Sequence, residues 1–281
     1  MALTPAERVG ASAAGALALL YVARSYWRVP LAIWRRPISV QRAQLRYERA
    51  GDGPTPPAAA TAWLADRAAA LAALGFRGTP PFRETADTGV SMYHQLHEHA
   101  ETGDVAAVGV FMRDAEEEVA NTTISFRSVL ADGSEVKTLH DARGLPVVTP
   151  DPPGSTVLRI GGGVQVSDDP SDLGRLYRLH RALVRRRGAG PQRRIDLSDP
   201  VAHHLGVVES LERQKLDSGW YRRDAEGRTW YTLRGAFVVV WRALPPWRGI
   251  ANARERRLVT ELMTEVITEE LRRAGVLPAG R

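Results

Sequence analysis

Two histidines that lie two positions apart are the first candidates for chemistry in this chain of 281 residues. His97 and His99 end an alternating run of apolar and polar residues, which predicts a β-strand with both imidazoles on one face. Two imidazoles on one face can form part of a metal site, whereas His94 is predicted to point to the opposite face. A catalytic zinc commonly has three protein ligands, so a third ligand would have to come from elsewhere. The alternative is that both are ordinary strand histidines.

Three other groups have residue types found in functional sites, but each also has a structural explanation. His180 falls in the apolar stripe of a predicted helix, as a buried core histidine does. His203 and His204 are neighbours near a helix start, where adjacent side chains point in different directions. The glycine triplet at 161–163 follows a predicted strand, but it lacks the lysine and the Ser or Thr of a phosphate-binding loop.

The chain has no cysteine and no recognised nucleophile motif. Disulfides, thiolate metal sites and cysteine nucleophiles are therefore excluded. Neither a G-x-S-x-G nor an H-E-x-x-H pattern occurs. Catalytic residues cannot be assigned from the sequence, and no cofactor is expected. An enzyme would need a concave site that gathers separated residues, of which the candidates are Tyr93, His97, His99, Arg127 and Asp141.

A helix followed by a basic aromatic hairpin, between Pro200 and Gly235, resembles the recognition helix and wing of winged-helix DNA-binding domains. The resemblance covers about 35 residues and includes no specific motif. The helix carries Glu209, Glu212 and Asp217, which oppose DNA binding, so nucleic acid is not the expected partner. The side chains that could meet phosphates are Arg222, Arg223, Arg228 and Arg234.

The formal net charge of +6 is concentrated at the amino-terminal end of the chain. Residues 1–50 hold eight arginines and two glutamates, which account for the whole +6 and leave the other 231 residues neutral. Most of these arginines follow an apolar run at residues 9–23. A basic flank beside an apolar helix favours an anionic membrane surface over nucleic acid as the partner.

The apolar run predicts an N-terminal membrane-anchor helix, since its 15 residues extend to about 20 when residues 4–8 are included. The alternatives are a buried helix and a cleaved signal peptide, although residues 1–7 lack the basic residue that a signal peptide has. Arginines on the carboxyl side predict a plasma-membrane protein whose body faces the cytoplasm. The partner is then a lipid bilayer with anionic headgroups. The expected membrane-interface residues are Tyr21, Arg24, Tyr26, Trp27, Arg28, Trp34, Arg35 and Arg36.

Residues 1–50 form this predicted helix and its basic aromatic flank, and a Pro/Gly/Ala linker at 51–61 leads into the body. Residues 62–190 begin with a helix and continue with alternating segments between 76 and 161. These segments predict an antiparallel sheet of about five or six strands covered by helices. The clearest hairpin signal is the Asp132-Gly133 pair. A helix at 169–187, capped by Asp169, ends this α+β domain.

Residues 196–281 predict a smaller helical segment. Asp199-Pro200 opens a helix, a β-hairpin follows at 218–235, and an amphipathic helix covers 254–274. The β-branched run after Gly235 is ambiguous, and we interpret it as a helix. The complete pattern predicts a single-pass, membrane-anchored, cytosolic-facing α+β protein with a non-catalytic binding or scaffolding role. The alternatives are a hydrolase-like or metal-dependent enzyme with a site around His97 and His99, and a membrane-tethered nucleic-acid-binding regulator.

Overall fold

The fold is that of a computed structural model. It describes residues 5–38, 45–49, 51–52, 55–86, 90–113, 118–141, 155–160, 171–188, 193–244 and 247–276. The glycine triplet at 161–163 and the predicted capping residue Asp169 lie outside this part.

The chain divides into two compact units. The small unit is built mainly from Met1–Gln41 and Glu212–Ile250. The sheet unit is built from Arg42–Pro146, Asp151–Leu211 and Ala251–Arg281.

A mostly antiparallel sheet of eight strands dominates the sheet unit. Its strands are β1 (Arg46–Arg49), β2 (Phe76–Gly78), β3 (Phe82–Ala86), β4 (Val90–His99), β5 (Val105–Arg113), β6 (Glu118–Val129), β7 (Glu135–Asp141) and β8 (Ser155–Ile160). Seven of them follow the order β1-β3-β4-β5-β6-β7-β8, and β2 pairs with β4 beside β3. The β7–β8 pair is parallel and the other pairs are antiparallel.

The predicted α+β class is confirmed, but the sheet has eight strands where five or six were expected. Two of the additional strands are short, with four residues in β1 and three in β2. β2 is shorter than the four to eight residues over which alternation can be recognised, and β1 is at the lower limit of that range. The predicted hairpin at Asp132-Gly133 is confirmed, and Gly133 supplies the positive φ of 79° that its turn requires.

One face of the sheet packs against three helices and forms the main core. These helices are α2 (Ala58–Ala73), α3 (Ser171–Gly188) and α6 (Trp247–Arg273), the last from Ala251 onward. Val110 and Phe126 of the strands are buried with Leu71, Leu176 and Leu262 of the helices. Apolar residues recur at helical spacing along α2, α3 and α6, so each helix has one side to bury.

The opposite face of the sheet packs against helix α4 (Pro200–Asp217) in its first half. Asp199 caps this helix, since its Oδ1 accepts a hydrogen bond of 3.0 Å from the Ala202 amide. Val201 is buried with Phe82 and Leu96 in a second, smaller core cluster. This packing fixes which side of α4 faces the sheet.

Besides the end of α4 and the start of α6, the described residues of the small unit form two helices and a hairpin. They are α1 (Pro5–Trp34), the strands β9 (Tyr221–Arg223) and β10 (Thr229–Tyr231), and α5 (Leu233–Ala243). The predicted hairpin is confirmed, and so is the helix in the ambiguous segment after it. Thr232 caps α5 by accepting a hydrogen bond from the Gly235 amide at 3.0 Å.

The predicted membrane anchor is wrong. Helix α1 runs through the apolar residues and on through the arginine-rich segment to Trp34. In the described part of the chain, no helix combines the length and the apolar character that crossing a bilayer requires. Alanine and glycine make the run only weakly apolar, and Arg24 and Arg28 lie in the same helix. This finding also overturns the predicted membrane localisation.

Two of the aromatic residues expected at a membrane interface contact other aromatic rings of the small unit. Tyr26 contacts Trp241 with ring centroids 5.5 Å apart. Trp27 contacts Phe237 at 5.4 Å. Tyr21 and Trp27 remain 73% and 64% exposed.

Candidate metal centre

Two ligand-type side chains come together because β3 and β4 pair in a defined register. Phe82 of β3 lies opposite His94 of β4, and Glu84 lies opposite Met92. Partners in an antiparallel pair share a face, so Glu84 and His94 point to the same side of the sheet. This is the side that α4 covers, and not the side of the main core.

Helix α4 supplies a third side chain. Val201 and Leu205 pack on Phe82 and Leu96, and His204 lies three residues after Val201 on the same side of the helix. His204 Nε2 donates a hydrogen bond of 3.0 Å to Glu84 Oε2 across 120 residues of sequence.

The three side chains form one compact cluster. Glu84 Oε2 lies 3.3 Å from His94 Nε2 as well as 3.0 Å from His204 Nε2. One ligand atom from each residue lies within 4.8 Å of the other two. The rings of His94 and His204 are 4.6 Å apart between centroids, and Phe82 stacks on His94 at 5.0 Å. Among the described residues this is the cluster of three such groups that can meet at one ion.

The spacing of these atoms suits a metal ion. Zinc binds imidazole nitrogen and carboxylate oxygen at about 2.0–2.1 Å, so neighbouring ligands of a tetrahedral site lie about 3.3 Å apart. The two distances from Glu84 are close to that separation. His94 Nε2 is buried and makes no hydrogen bond within the described part of the chain, although it faces the carboxylate. The cluster thus has a nitrogen available to an ion.

The protonation of the cluster also suits a metal ion. Burial acts to raise the pKa of Glu84, but contacts with His204 and His94 outweigh it and lower the pKa to about 2. Burial lowers the pKa of His94 below its ordinary value, and the charge of His204 acts in the same direction while Glu84 opposes them. Near pH 7 the carboxyl is therefore ionised and His94 is neutral, as metal ligands must be.

The cluster is partly open to solvent. The side chains of Glu84 and His204 are each 20% exposed, whereas that of His94 is 7% exposed. An ion or a bound water can therefore approach from the outer side, while His94 and the stacked Phe82 form the inner wall.

The histidine pair singled out from the sequence, His97 and His99, lies on the face of the sheet that packs against α2, α3 and α6. His97 and His99 do share a face, and His94 points away from them as predicted. His99 Nδ1 accepts a hydrogen bond of 3.2 Å from the Thr102 amide, and its ring contacts Phe76 and Tyr177. Of the described residues, no third ligand joins this pair. His99 is therefore held by its hydrogen bond and ring contacts, whereas His97 Nε2 is buried with no hydrogen-bond partner among the described residues.

The wider group proposed for an enzyme does not converge. Tyr93, His97 and His99 lie on the face that packs against α2, α3 and α6. Arg127 lies on the opposite face, beside Glu135 and His203. The side chain of Asp141 lies outside the described part.

A buried Ser–His–Asp group in the main core is not arranged for nucleophilic attack. Ser128 Oγ donates to Asp104 Oδ1 and also contacts His180 Nε2 at 2.8 Å. His180 Nδ1 is 3.1 Å from the Thr138 hydroxyl, so the aspartate orients the serine and not the imidazole. Ser128 is 1% exposed and His180 and Asp104 are fully buried, so no substrate can reach the hydroxyl.

The hairpin arginines do not form a single free basic face. Arg223 pairs with Glu212, and Arg228 pairs with Asp224 and Glu226. Arg222 lies over the ring of Trp230 at 5.3 Å. Arg234 lies on α5 and is exposed. Two of the four cations expected to meet phosphates are thus already paired.

Glu84, His94 and His204 were missed as a set, although one signal was present. His204 occupies an inward position of the stripe Val201, Leu205 and Val208. Its partner Glu84 sits in a five-residue strand that the sequence pattern did not reveal. No protein-family model, curated protein or solved structure matches this chain.

Proposed function

We propose that the protein binds a divalent transition-metal ion, with Zn²⁺ as the best fit, between Glu84, His94 and His204. The carrying observation is that Glu84 Oε2 lies 3.0 and 3.3 Å from two imidazole nitrogens of separate elements. The proposal keeps a binding role and moves the metal site from His97 and His99 to the other face of the sheet.

The donor set selects the class of ion. Two imidazoles and one carboxylate suit Zn²⁺ and other late divalent metals, whereas Mg²⁺ and Ca²⁺ prefer sites built from oxygen. Three protein ligands leave at least one position for water or for an anionic group of a ligand. Such a bound water is acidic enough to act near neutral pH, which gives the site a route to hydrolysis.

The test is a zinc and cobalt titration of the full chain by isothermal calorimetry and visible absorption. We expect one ion per chain and a cobalt spectrum typical of nitrogen and oxygen ligands. His204→Asn and Glu84→Gln remove a ligand each. Because changes outside the ligand shell already cost about 10–100-fold in metal affinity, loss of a ligand should cost more than about 100-fold.

The matched control is His203→Asn. It alters a neighbouring imidazole of the same helix that contacts Arg127 at 3.5 Å, so zinc affinity should remain unchanged. Equal losses in the variants of His203 and His204, or stoichiometric zinc binding that survives Glu84→Gln, would refute the site.

A further inference from the structure

The small unit is strongly basic. Met1–Gln41 and Glu212–Ile250 together contain 13 Lys and Arg residues against five acidic residues, a net charge of +8. The acidic residues are Glu7, Glu212, Asp217, Asp224 and Glu226. Six of the seven tryptophans of the chain lie in the same unit. Such a combination of cations and aromatic rings is typical of surfaces that bind single-stranded nucleic acid.

Three of the acidic residues of this unit form ion pairs with arginines of the hairpin. Glu212 binds Arg223 at 2.8 Å, and Asp224 binds Arg228 at 2.8 Å. Glu226 binds the same Arg228 at 3.0 Å. The hairpin is therefore close to neutral, and the excess positive charge remains elsewhere in the unit.

Half of this net charge, +4, is carried by residues 1–41, which include α1 and the turn after it, and the other half lies on residues 212–250. Arg24, Arg28 and Arg36 make no ion pair with any other described residue. Together with Ser25, Val29 and Ile33 they line a shallow cleft of about 350 Å³. Glu7 is the only acidic residue among residues 1–41. It precedes Arg24 by more than four turns of helix, a distance of about 25 Å along the axis.

Aromatic and basic side chains share one face of α1. Tyr21 precedes Arg24 by three residues and Arg28 by seven, which places all three on one stripe. Tyr21 is 73% exposed, and both arginines are exposed as well. Arginines four residues apart lie about 6 Å apart along the helix, a spacing that can follow successive phosphates of an extended strand. A helix that lies in a lipid interface instead separates its charged side from its apolar side.

We propose that the exposed surface formed by Tyr21, Arg24 and Arg28 of α1 and by Arg36 of the turn after it binds single-stranded nucleic acid. The guanidinium groups bind phosphates, and the ring of Tyr21 stacks on a base. The hairpin arginines contribute little, because their charge is neutralised within the unit.

The experiment measures fluorescence anisotropy of a labelled oligothymidylate of about 20 nucleotides with the full-length chain at several salt concentrations. Arg24→Gln/Arg28→Gln/Arg36→Gln should reduce affinity on the order of 100-fold at roughly 0.1 M salt and flatten the salt dependence by about 2 logarithmic units per decade. Tyr21→Ala should reduce it by about 10-fold through loss of stacking. The matched control, Arg222→Gln/Arg223→Gln/Arg228→Gln, removes the same charge from the hairpin and should have a much smaller effect.

Three outcomes overturn the proposal. The first is no binding at low salt, and the second is equal loss in the two triple variants. The third is preference for another polyanion or surface. Inorganic polyphosphate bound as tightly as the oligonucleotide, with no effect of Tyr21→Ala, would exclude recognition of bases. Binding of phosphatidylglycerol vesicles that depends on the same arginines, without binding of oligonucleotide, would assign the face to a lipid surface.

Discussion

Each face of the sheet carries a cluster of histidine and carboxylate, and the two clusters differ in how their polar atoms are satisfied. In the main core, both nitrogens of His180 contact hydroxyl groups, those of Ser128 and Thr138. Asp104 accepts hydrogen bonds on both oxygens. On the α4 side, a single oxygen of Glu84 lies close to the Nε2 atoms of both His94 and His204. The first cluster is closed by its own chain, and the second has capacity for a further partner.

This difference explains why one cluster of histidine and carboxylate stabilises the fold whereas the other can bind a further partner. A fully bonded polar group in a dry core stabilises one arrangement of the strands and helices around it. A carboxylate that faces two imidazole nitrogens can exchange protons on those nitrogens for a metal ion at little rearrangement. Residue type alone therefore does not mark a site; the number of unsatisfied atoms and their exposure do.

The largest effect is expected from Asp104→Ala, which opens the closed cluster. Asp104 is fully buried and binds Arg181 at 2.9 Å and the Tyr177 hydroxyl at 2.8 Å. Removing one partner of a buried charge pair costs about 3–5 kcal/mol, to be measured by urea denaturation. The control Glu270→Gln, which removes an exposed pair with Arg178, should cost no more than about 1 kcal/mol. A loss below about 1 kcal/mol for the alanine variant would mean that the closed cluster is not structural.

The next effect concerns the open cluster, where stability should depend on metal. An ion at 100 times its dissociation constant stabilises the folded state by about 2.7 kcal/mol if it binds only that state. For a unit of this size the midpoint of thermal unfolding should rise by about 5–10 °C. Asp104→Ala should retain this increment, because the two clusters lie on opposite faces. His204→Asn should lose it, and a zinc-induced shift that persists in that variant would contradict the assignment.

The sequence predicts the local parts of this molecule well. The strands around Asp132-Gly133, the helix after Gly235 and the amphipathic helix at the carboxyl end have periodicity or turn residues that act over short distances. The apolar run at residues 9–23 approaches the length of a membrane anchor, but it does not form one because its alanines and glycines contribute little transfer free energy.

The candidate site could not be predicted in the same way. Glu84 and His204 are 120 residues apart, so their contact depends on the order of strands and on the side of the sheet that α4 covers. Neither is encoded by a local pattern. His94 is predicted on the correct face, but its partner Glu84 interrupts the alternation of β3, because it stands between Phe82 and Ala86 where an apolar residue would be expected.

The smallest effect, counted per pH unit, is the pH dependence of stability that the closed cluster produces. Burial lowers the pKa of His180 from 6.5 to about 4, with Arg181 acting in the same direction and Asp104 opposing both. Between these values the unfolded chain binds one more proton than the folded chain, so stability falls as the pH is lowered from about 6.5 toward 4. One proton corresponds to about 1.4 kcal/mol per pH unit.

The measurement compares urea denaturation of the parent chain and His180→Asn near pH 7 and near pH 5. Burial also lowers the pKa of His97 and of His203 to about 4, so the parent slope includes their contributions as well. In His180→Asn, the change of stability per pH unit should be smaller by the contribution of about one proton, and the contributions of His97 and His203 should remain. Zinc should leave the His180 share unchanged, because its imidazole has no nitrogen free to bind an ion. An identical slope in parent and variant would show that the imidazole already takes up a proton in the folded core, and the closed cluster would then be less complete than its hydrogen bonds indicate.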